Sequence, residues 1–246
     1  MIIERTENPQ FLSNAYLVAD GPGGHGVLVD GNGEARELLE RVERDGITIT
    51  HVLCTHHHGD HVIDLPEIAD RFGVPLLAHP FAVEILGDPY RPTLDDGATI
   101  ASGELTITAL HTPGHCADHL ALLVDDTDCL TADVLFKGTV GGTGGGGPTG
   151  FADLRRSVER LLELDPQTRI HPGHKEPSTI HDESVDNPFV RIWKGRDEEG
   201  SEPCQVKGRD ATLILWAPDY DGGNKAWVRF PDGEDAIVGG SQVTRG

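Results

Sequence analysis

The sequence is short of positive charge, with 20 Lys and Arg against 41 Asp and Glu in 246 residues and a formal net charge of −21. A polyanionic partner needs a basic footprint, so this balance argues against nucleic acid and against adhesion to an anionic membrane. Aromatic side chains are scarce too, at 5%. With 37% hydrophobic residues the chain can still bury a core, one built mainly from aliphatic groups. No window approaches the roughly 18 continuous apolar residues of a membrane span. The stretch Met1 to Arg5 has no basic segment followed by an apolar run, so no secretory leader is visible and a cytoplasmic location is expected. The four cysteines, Cys54, Cys116, Cys129 and Cys204, form no C-x-x-C pair and do not suggest a disulfide framework. Cys54 and Cys129 sit in apolar runs and read as small buried hydrophobes, and Cys116 as a packed thiol.

What is present alternates between strand and helix patterns. Ala15 to Val18 and Gly26 to Val29 are short apolar runs split by a glycine-rich turn. Leu38, Leu39 and Val42 fall at helical spacing within Glu34 to Arg44, and Gly46 ends that helix. Ile47 to Cys54 reads as a strand, Leu65 to Phe72 as a helix, Val74 to Ala78 as a strand and Phe81 to Leu86 as a helical turn or two. Leu105 to Leu110, Leu120 to Val124 and Cys129 to Ala132 continue as strands. Gly138 to Gly150 is dense in glycine and reads as a mobile loop. An amphipathic helix follows over Ala152 to Leu164, then a short strand over Thr168 to Ile170. Composition shifts after Lys194. The chain therefore divides into a main domain over 1–194, a polar linker over 195–202 and a small β-rich extension over 203–246. The extension has three short strand-like runs, Ala211 to Trp216, Ala226 to Phe230 and Ala236 to Val238. Trp193, Trp216 and Trp227 are expected to pack the junction.

The chemistry concentrates after the strand that ends at Cys54, in Thr55-His56-His57-His58-Gly59-Asp60-His61. A loop there can turn His56 and His58 toward one point and Asp60 and His61 toward a second. Imidazole nitrogen and carboxylate oxygen suit zinc, with iron or manganese as alternatives. His115 and His174 each follow a strand and a Pro-Gly turn, and Asp133 follows the strand Cys129 to Ala132. Ligands presented from strand ends by short loops make a precise site. Alone, each residue reads equally well as a cap or a solvated side chain. Together they number seven, a sensible set for two closely spaced divalent cations sharing a carboxylate. His57 is expected to point away, His79, His111, His171 and His181 to be satisfied polar residues, and His119 to touch substrate or support a ligand.

The order H-x-H-x-D-H, then T-P-G-H, then Asp133, then P-G-H resembles the metallo-β-lactamase-fold hydrolases. The resemblance implies an α+β fold, a four-layer αββα sandwich with the site on one edge and the β-rich extension appended. It implies that His56, His58 and His115 hold one metal, Asp60, His61 and His174 a second, and that Asp133 bridges them. A hydroxide shared by the metals would then attack a carbonyl carbon, with Asp60 in addition orienting it. The usual Gly-Asp at the bridge is Ala132-Asp133 here.

Within that fold the chain is most similar to glyoxalase II-like thioester hydrolases, through Asp133-Val134-Leu135-Phe136 and through Ser178-Thr179-Ile180, Glu183 and Asn187-Pro188-Phe189 after His174. Two features depart from them. Gly142 stands where a basic residue usually meets the thiol carrier, and a β-rich tail replaces the helical substrate domain. Lys137 and Lys175 are the nearby cations in sequence. The expectation is a thioester hydrolase acting on a small molecule, with the oligomeric state open. The alternatives are a lactone or other ester hydrolase, or a mononuclear iron persulfide dioxygenase using His56, His115 and Asp133. A lactamase role fits poorly with a bridging aspartate, and an RNA nuclease fits poorly with the charge.

Overall fold

The computed structural model describes residues 1–144 and 147–246. Two six-stranded sheets pack face to face. The first runs in the order β1 (Ile2–Glu7), β2 (Asn14–Ala19), β3 (His25–Val29), β4 (Thr48–Leu53), β5 (Leu76–Ala78) and β6 (Tyr90–Pro92). Its first three strands are antiparallel, and β3 to β6 are parallel. The parallel connections carry helices α1 (Arg36–Asp45), α2 (Gly59–Val62), α3 (Leu65–Phe72) and α4 (Pro80–Leu86). Alternation along β2 shows why this sheet needs partners on both faces. Ala15, Leu17 and Ala19 pack outward against Leu38, Val42, Ile68 and Ala82 of the helices. Tyr16 and Val18 point the other way, into the layer between the sheets.

The second sheet holds β7 (Thr99–Ser102), β8 (Leu105–His111), β9 (Leu120–Val124) and β10 (Asp128–Ala132), then β13 (Arg169–Pro172) and β14 (Ser178–Thr179) at the far side. A small hairpin, β11 (Leu135–Phe136) with β12 (Thr139–Val140), follows β10. Helices α5 (Phe151–Leu161), α6 (Ile180–Asp186) and α7 (Pro188–Trp193) cover the outer face through Leu154, Val158, Leu161, Ile180 and Phe189. Ile107, Leu120, Leu122 and Leu130 meet Val27, Val29 and Leu53 between the sheets. This is the αββα sandwich expected from the sequence.

The last part of the chain forms a five-stranded antiparallel sheet, β15 (Glu202–Val206), β16 (Arg209–Pro218), β17 (Asn224–Arg229), β18 (Asp235–Gly239) and β19 (Val243–Arg245), with β15 pairing β19. It has two apolar faces. Ala226, Val228 and Val238 share a cluster with Cys204 and Leu213. Trp227 and Ile237 instead join the cluster of α5 to α7. Trp193 and Trp227 meet at the junction as expected, with ring centroids 6.3 Å apart. Trp216 does not; it packs on the sheet's own cluster, beneath Arg245.

The glycine-rich run is more ordered than its composition suggests. Thr139 and Val140 are buried strand residues, and Thr143 bonds to Ile237 of β18 through its amide and its hydroxyl. Gly145 and Gly146 lie outside the described residues. All four cysteines are buried and unpaired. No helix of the described residues is long and apolar enough to cross a membrane.

Candidate metal centre

The seven residues marked in the sequence converge. His56 and His58 leave the end of β4, and Asp60 and His61 sit in the short helix α2 that turns back across it. His115 comes from the loop after β8, Asp133 from the end of β10 and His174 from the turn after β13. The ligand atoms of His56, His58 and His115 lie within 4.8 Å of one another, as do those of Asp60, His61 and His174. Asp133 stands between the groups. Its Oδ2 is 3.3 Å from His174 Nε2, 3.5 Å from His115 Nε2 and 4.0 Å from His56 Nε2, and its Oδ1 is 3.4 Å from His61 Nε2. Asp60 Oδ2 lies 3.6 Å from His61 Nε2 and 3.7 Å from His174 Nε2.

Each ring is held by its other nitrogen. His56 Nδ1 meets Thr55 Oγ1, His61 Nδ1 meets Asp30 Oδ2, His115 Nδ1 meets the Gly142 carbonyl and His174 Nδ1 meets the Leu12 carbonyl, all at 2.8–3.0 Å. Such bonds fix the tautomer and leave the Nε2 lone pair for a cation. His58 offers Nδ1 instead, 2.8 Å from His115 Nε2.

The residues fit divalent cations. His56 Nε2, His61 Nε2 and Asp133 Oδ1 are buried and have no hydrogen-bond partner. Buried polar atoms left unpaired cost about 1–3 kcal/mol each, and a cation between them would satisfy all three. Protonation states agree with ligation. Burial, with His61 nearby, holds the His56 imidazole neutral. Burial likewise takes His115 down to about 4. Burial opposes charge on Asp133 as well, but His174 and His61 outweigh it and keep the carboxyl well below its usual range. His61 departs from this: burial disfavours its cation, yet Asp133, Asp30 and Asp60 lift it to about 9. A metal must therefore displace a proton there.

Residues 8–174 match the model of the Metallo-beta-lactamase superfamily. The chain belongs to that superfamily. An uncharacterized protein of Mycobacterium leprae (strain TN) is 36% identical over 202 residues, covering 72% of this chain and 93% of the relative. A hydroxyacylglutathione hydrolase of Rhizobium etli is 33% identical over 160 residues, 65% of this chain and 60% of that protein. Among solved structures, ETHE1 from Myxococcus xanthus superposes with a TM-score of 0.68 at 27% identity, covering 77% of this chain and 84% of that one. The chain thus carries the fold and the candidate donor residues of this superfamily.

Two carboxylates of this superfamily member, Asp30 and Asp118, escaped the sequence reading, whereas His119 takes the supporting place it was expected to take. Asp30, just past β3, accepts from the Thr55 amide and hydroxyl while it holds His61. Asp118 holds His57 through the backbone amide and through Nδ1 at 2.7 Å, so His57 braces the loop rather than joining the cluster. His119, kept neutral by burial at about 3, accepts the Asp133 amide on Nε2 and donates from Nδ1 to Thr112. It therefore fixes Asp133 through the backbone. Ala132 adopts φ +40°, the left-handed region that a glycine takes at less cost.

Among the other histidines, His171 pairs with Asp128 at 2.7 Å, and His79 caps α4 and stacks on His111. Lys137 pairs with Glu176, and Lys175 donates to the Lys137 carbonyl. The lysine beside the cluster is Lys225, which the sequence reading did not single out. It comes from β17 and lines a cavity of about 270 Å³ together with His115, Asp133, Gly142 and Tyr220.

Proposed function

We propose that the chain is a dinuclear-metal hydrolase acting on a thioester. The observation that carries this reading is the set of three buried, unpartnered ligand atoms, one in each of two donor groups and one on Asp133 between them. His56, His58 and His115 would hold one cation, Asp60, His61 and His174 the second, and Asp133 would bridge them. Zinc suits this nitrogen and oxygen set, as do iron and manganese. Bound divalent cations supply an acidified water and stabilise negative charge on a carbonyl oxygen.

The remaining work falls to the chain. Thr55, Asp30, Gly142 and Leu12 keep four imidazoles aimed at the centre, so little reorganisation is needed during reaction. Asp60, with a quarter of its side chain exposed, is placed to accept a hydrogen bond from the attacking water at a carboxylate oxygen. The partial match to a hydroxyacylglutathione hydrolase supports a thioester substrate, and a thiolate leaves without strong acid assistance. The match to ETHE1 fits the second reading, a mononuclear iron persulfide dioxygenase. The second donor group, Asp60, His61 and His174, favours the dinuclear hydrolase.

The test is metal analysis of the purified protein followed by a screen of the zinc-loaded form against thioesters, lactones, lactams and phosphodiesters. Two metals per chain and fastest turnover on thioesters are expected. One iron per chain, with oxygen consumed on a persulfide, would overturn the proposal. Asp133→Asn should lower metal content and lower hydrolysis at least ~100-fold, since it removes both the bridge and a charge. Two metals and full activity in that variant would refute the bridging role.

A further inference from the structure

The cavity beside the cluster has one wall from the hydrolase sandwich and one from the C-terminal sheet. Tyr220, in the turn between β16 and β17, brings the second wall against the centre. Its ring stacks on the His174 imidazole, with centroids 4.0 Å apart and planes 10° from parallel. It also meets Phe136 at 5.7 Å. Its hydroxyl makes no hydrogen bond to any described residue, although the residue lines the cavity.

The strand pattern explains how the sheet holds this turn. Side chains alternate along β17, so Ala226 and Val228 face the sheet's own cluster, while Lys225 and Trp227 face the sandwich. Lys225 is only 6% exposed at its side chain. Its Nζ donates to the Val140 carbonyl at 2.9 Å and pairs with Asp219 Oδ1 at 3.1 Å. It lies 5.2 Å from the Tyr220 ring centroid and 5.3 Å from that of Phe136. Asp219 Oδ1 also accepts the Tyr220 amide at 2.8 Å. One buried ion pair therefore ties the tyrosine turn to β12, at the edge of the cavity.

We propose that Tyr220 is a substrate-contacting residue, whose hydroxyl donates a hydrogen bond to the acyl oxygen of the substrate, and that the Asp219–Lys225 pair positions it. The C-terminal sheet is then part of the active site. It selects a small thioester whose acyl oxygen can reach the Tyr220 hydroxyl from the cavity. This rests on the hydrolase reading above.

The experiment compares full-length zinc-loaded wild type with Tyr220→Phe, which keeps the stacked ring and loses the hydroxyl. The probe is S-phenyl thioacetate. A fall of about ten-fold in kcat with little change in KM is expected for the loss of one hydrogen bond formed in the transition state. Metal content and Tm should stay at wild-type values. Wild-type kinetics in Tyr220→Phe would overturn the proposal and leave Tyr220 as a packing partner of His174. Lys225→Met alone would strand a buried carboxylate, so the positioning role is read from the paired change Lys225→Met with Asp219→Asn. That pair should lower kcat in the wild-type background and add nothing in the Tyr220→Phe background. Equal losses in both backgrounds would overturn the positioning role.

Failure of the hydrolase reading is separable. If wild type turns over no ester or thioester, the same variants are titrated with mercaptoacetate, whose thiolate seeks the metals and whose carboxylate reaches the cavity. Tyr220→Phe should weaken its binding about ten-fold, and unchanged affinity would overturn the tyrosine contact.

Discussion

At the residue scale, the centre depends as much on what is missing from a side chain as on what is present. Gly173 separates Pro172 from His174, and a Cβ added there would overlap Asp133 Oδ1 and crowd His61 Cε1. No other residue leaves room for the bridging carboxylate. Gly173→Ala should therefore lose metal and most activity while keeping its circular dichroism, at a stability cost of about 1–3 kcal/mol from overpacking. Two metals per chain in that variant, measured by elemental analysis, would show that the carboxylate can move aside. The donors that the structure brings together were legible in the sequence because they follow strands within motifs of fixed spacing. Asp30 and Asp118 were not, because a carboxylate that holds a candidate ligand across 31 residues, or braces the loop beside it across 61, leaves no local pattern. Tyr220 and Lys225 were hidden for the same reason, since a different sheet delivers them.

At the scale of elements, strands buried on both faces announced themselves and most edge strands, β18 excepted, did not. The interior runs in β2, β3, β9 and β10 are almost wholly buried, so apolar residues fill them continuously. β1, β6, β7, β15 and β19 are edge strands or neighbours of an edge, and they carry charged or exposed residues at many positions. Glu202 to Val206, at the boundary of linker and β-rich extension, thus shows no strand pattern, though it pairs with strands on both sides. The helices α6 and α7 were also unread. They are short, and Asn187 both ends the first and caps the second.

The pairing of β10 with β13 has an electrostatic component. Asp128 is fully buried and accepts from His171 Nε2, from Arg169 and from Thr127. Burial opposes its charge, but the bonds from His171 and Arg169 prevail and take the carboxyl down to about 2. A depressed carboxyl stabilises the fold above its unfolded value near 3.9 and stops doing so as pH falls through about 2. With Arg169 mostly exposed, solvent screening leaves this contribution at about 1–2 kcal/mol. The difference in urea midpoint between wild type and Asp128→Asn should shrink between pH 4 and 2. A difference that does not change over that window would place the value of Asp128 in packing alone.

At the scale of the whole molecule, the sandwich and the C-terminal sheet share a core. Ile214, Ala217, Trp227 and Ile237 belong to the same apolar cluster as Leu154, Val158 and Phe189. Removing the sheet would expose that cluster, so point substitutions report on function more cleanly than truncation. The two parts also share a support. The Gly142 carbonyl holds His115 Nδ1 at 2.9 Å, and the next residue, Thr143, bonds to Ile237 of β18 in both directions at 2.8 Å. Any equilibrium that orders this segment is felt at both ends, and thermodynamic reciprocity requires the two effects to be equal. Metal loading should slow amide hydrogen exchange at Ile237. Thr143→Ala, which removes the acceptor for the Ile237 amide, should weaken zinc affinity about five-fold, with Thr143→Ser restoring it. If exchange at Ile237 ignores the metal and affinity ignores Thr143, the sheet is a passive wall. If they respond together, a protein or ligand that grips the C-terminal sheet can set how firmly the centre keeps its metal.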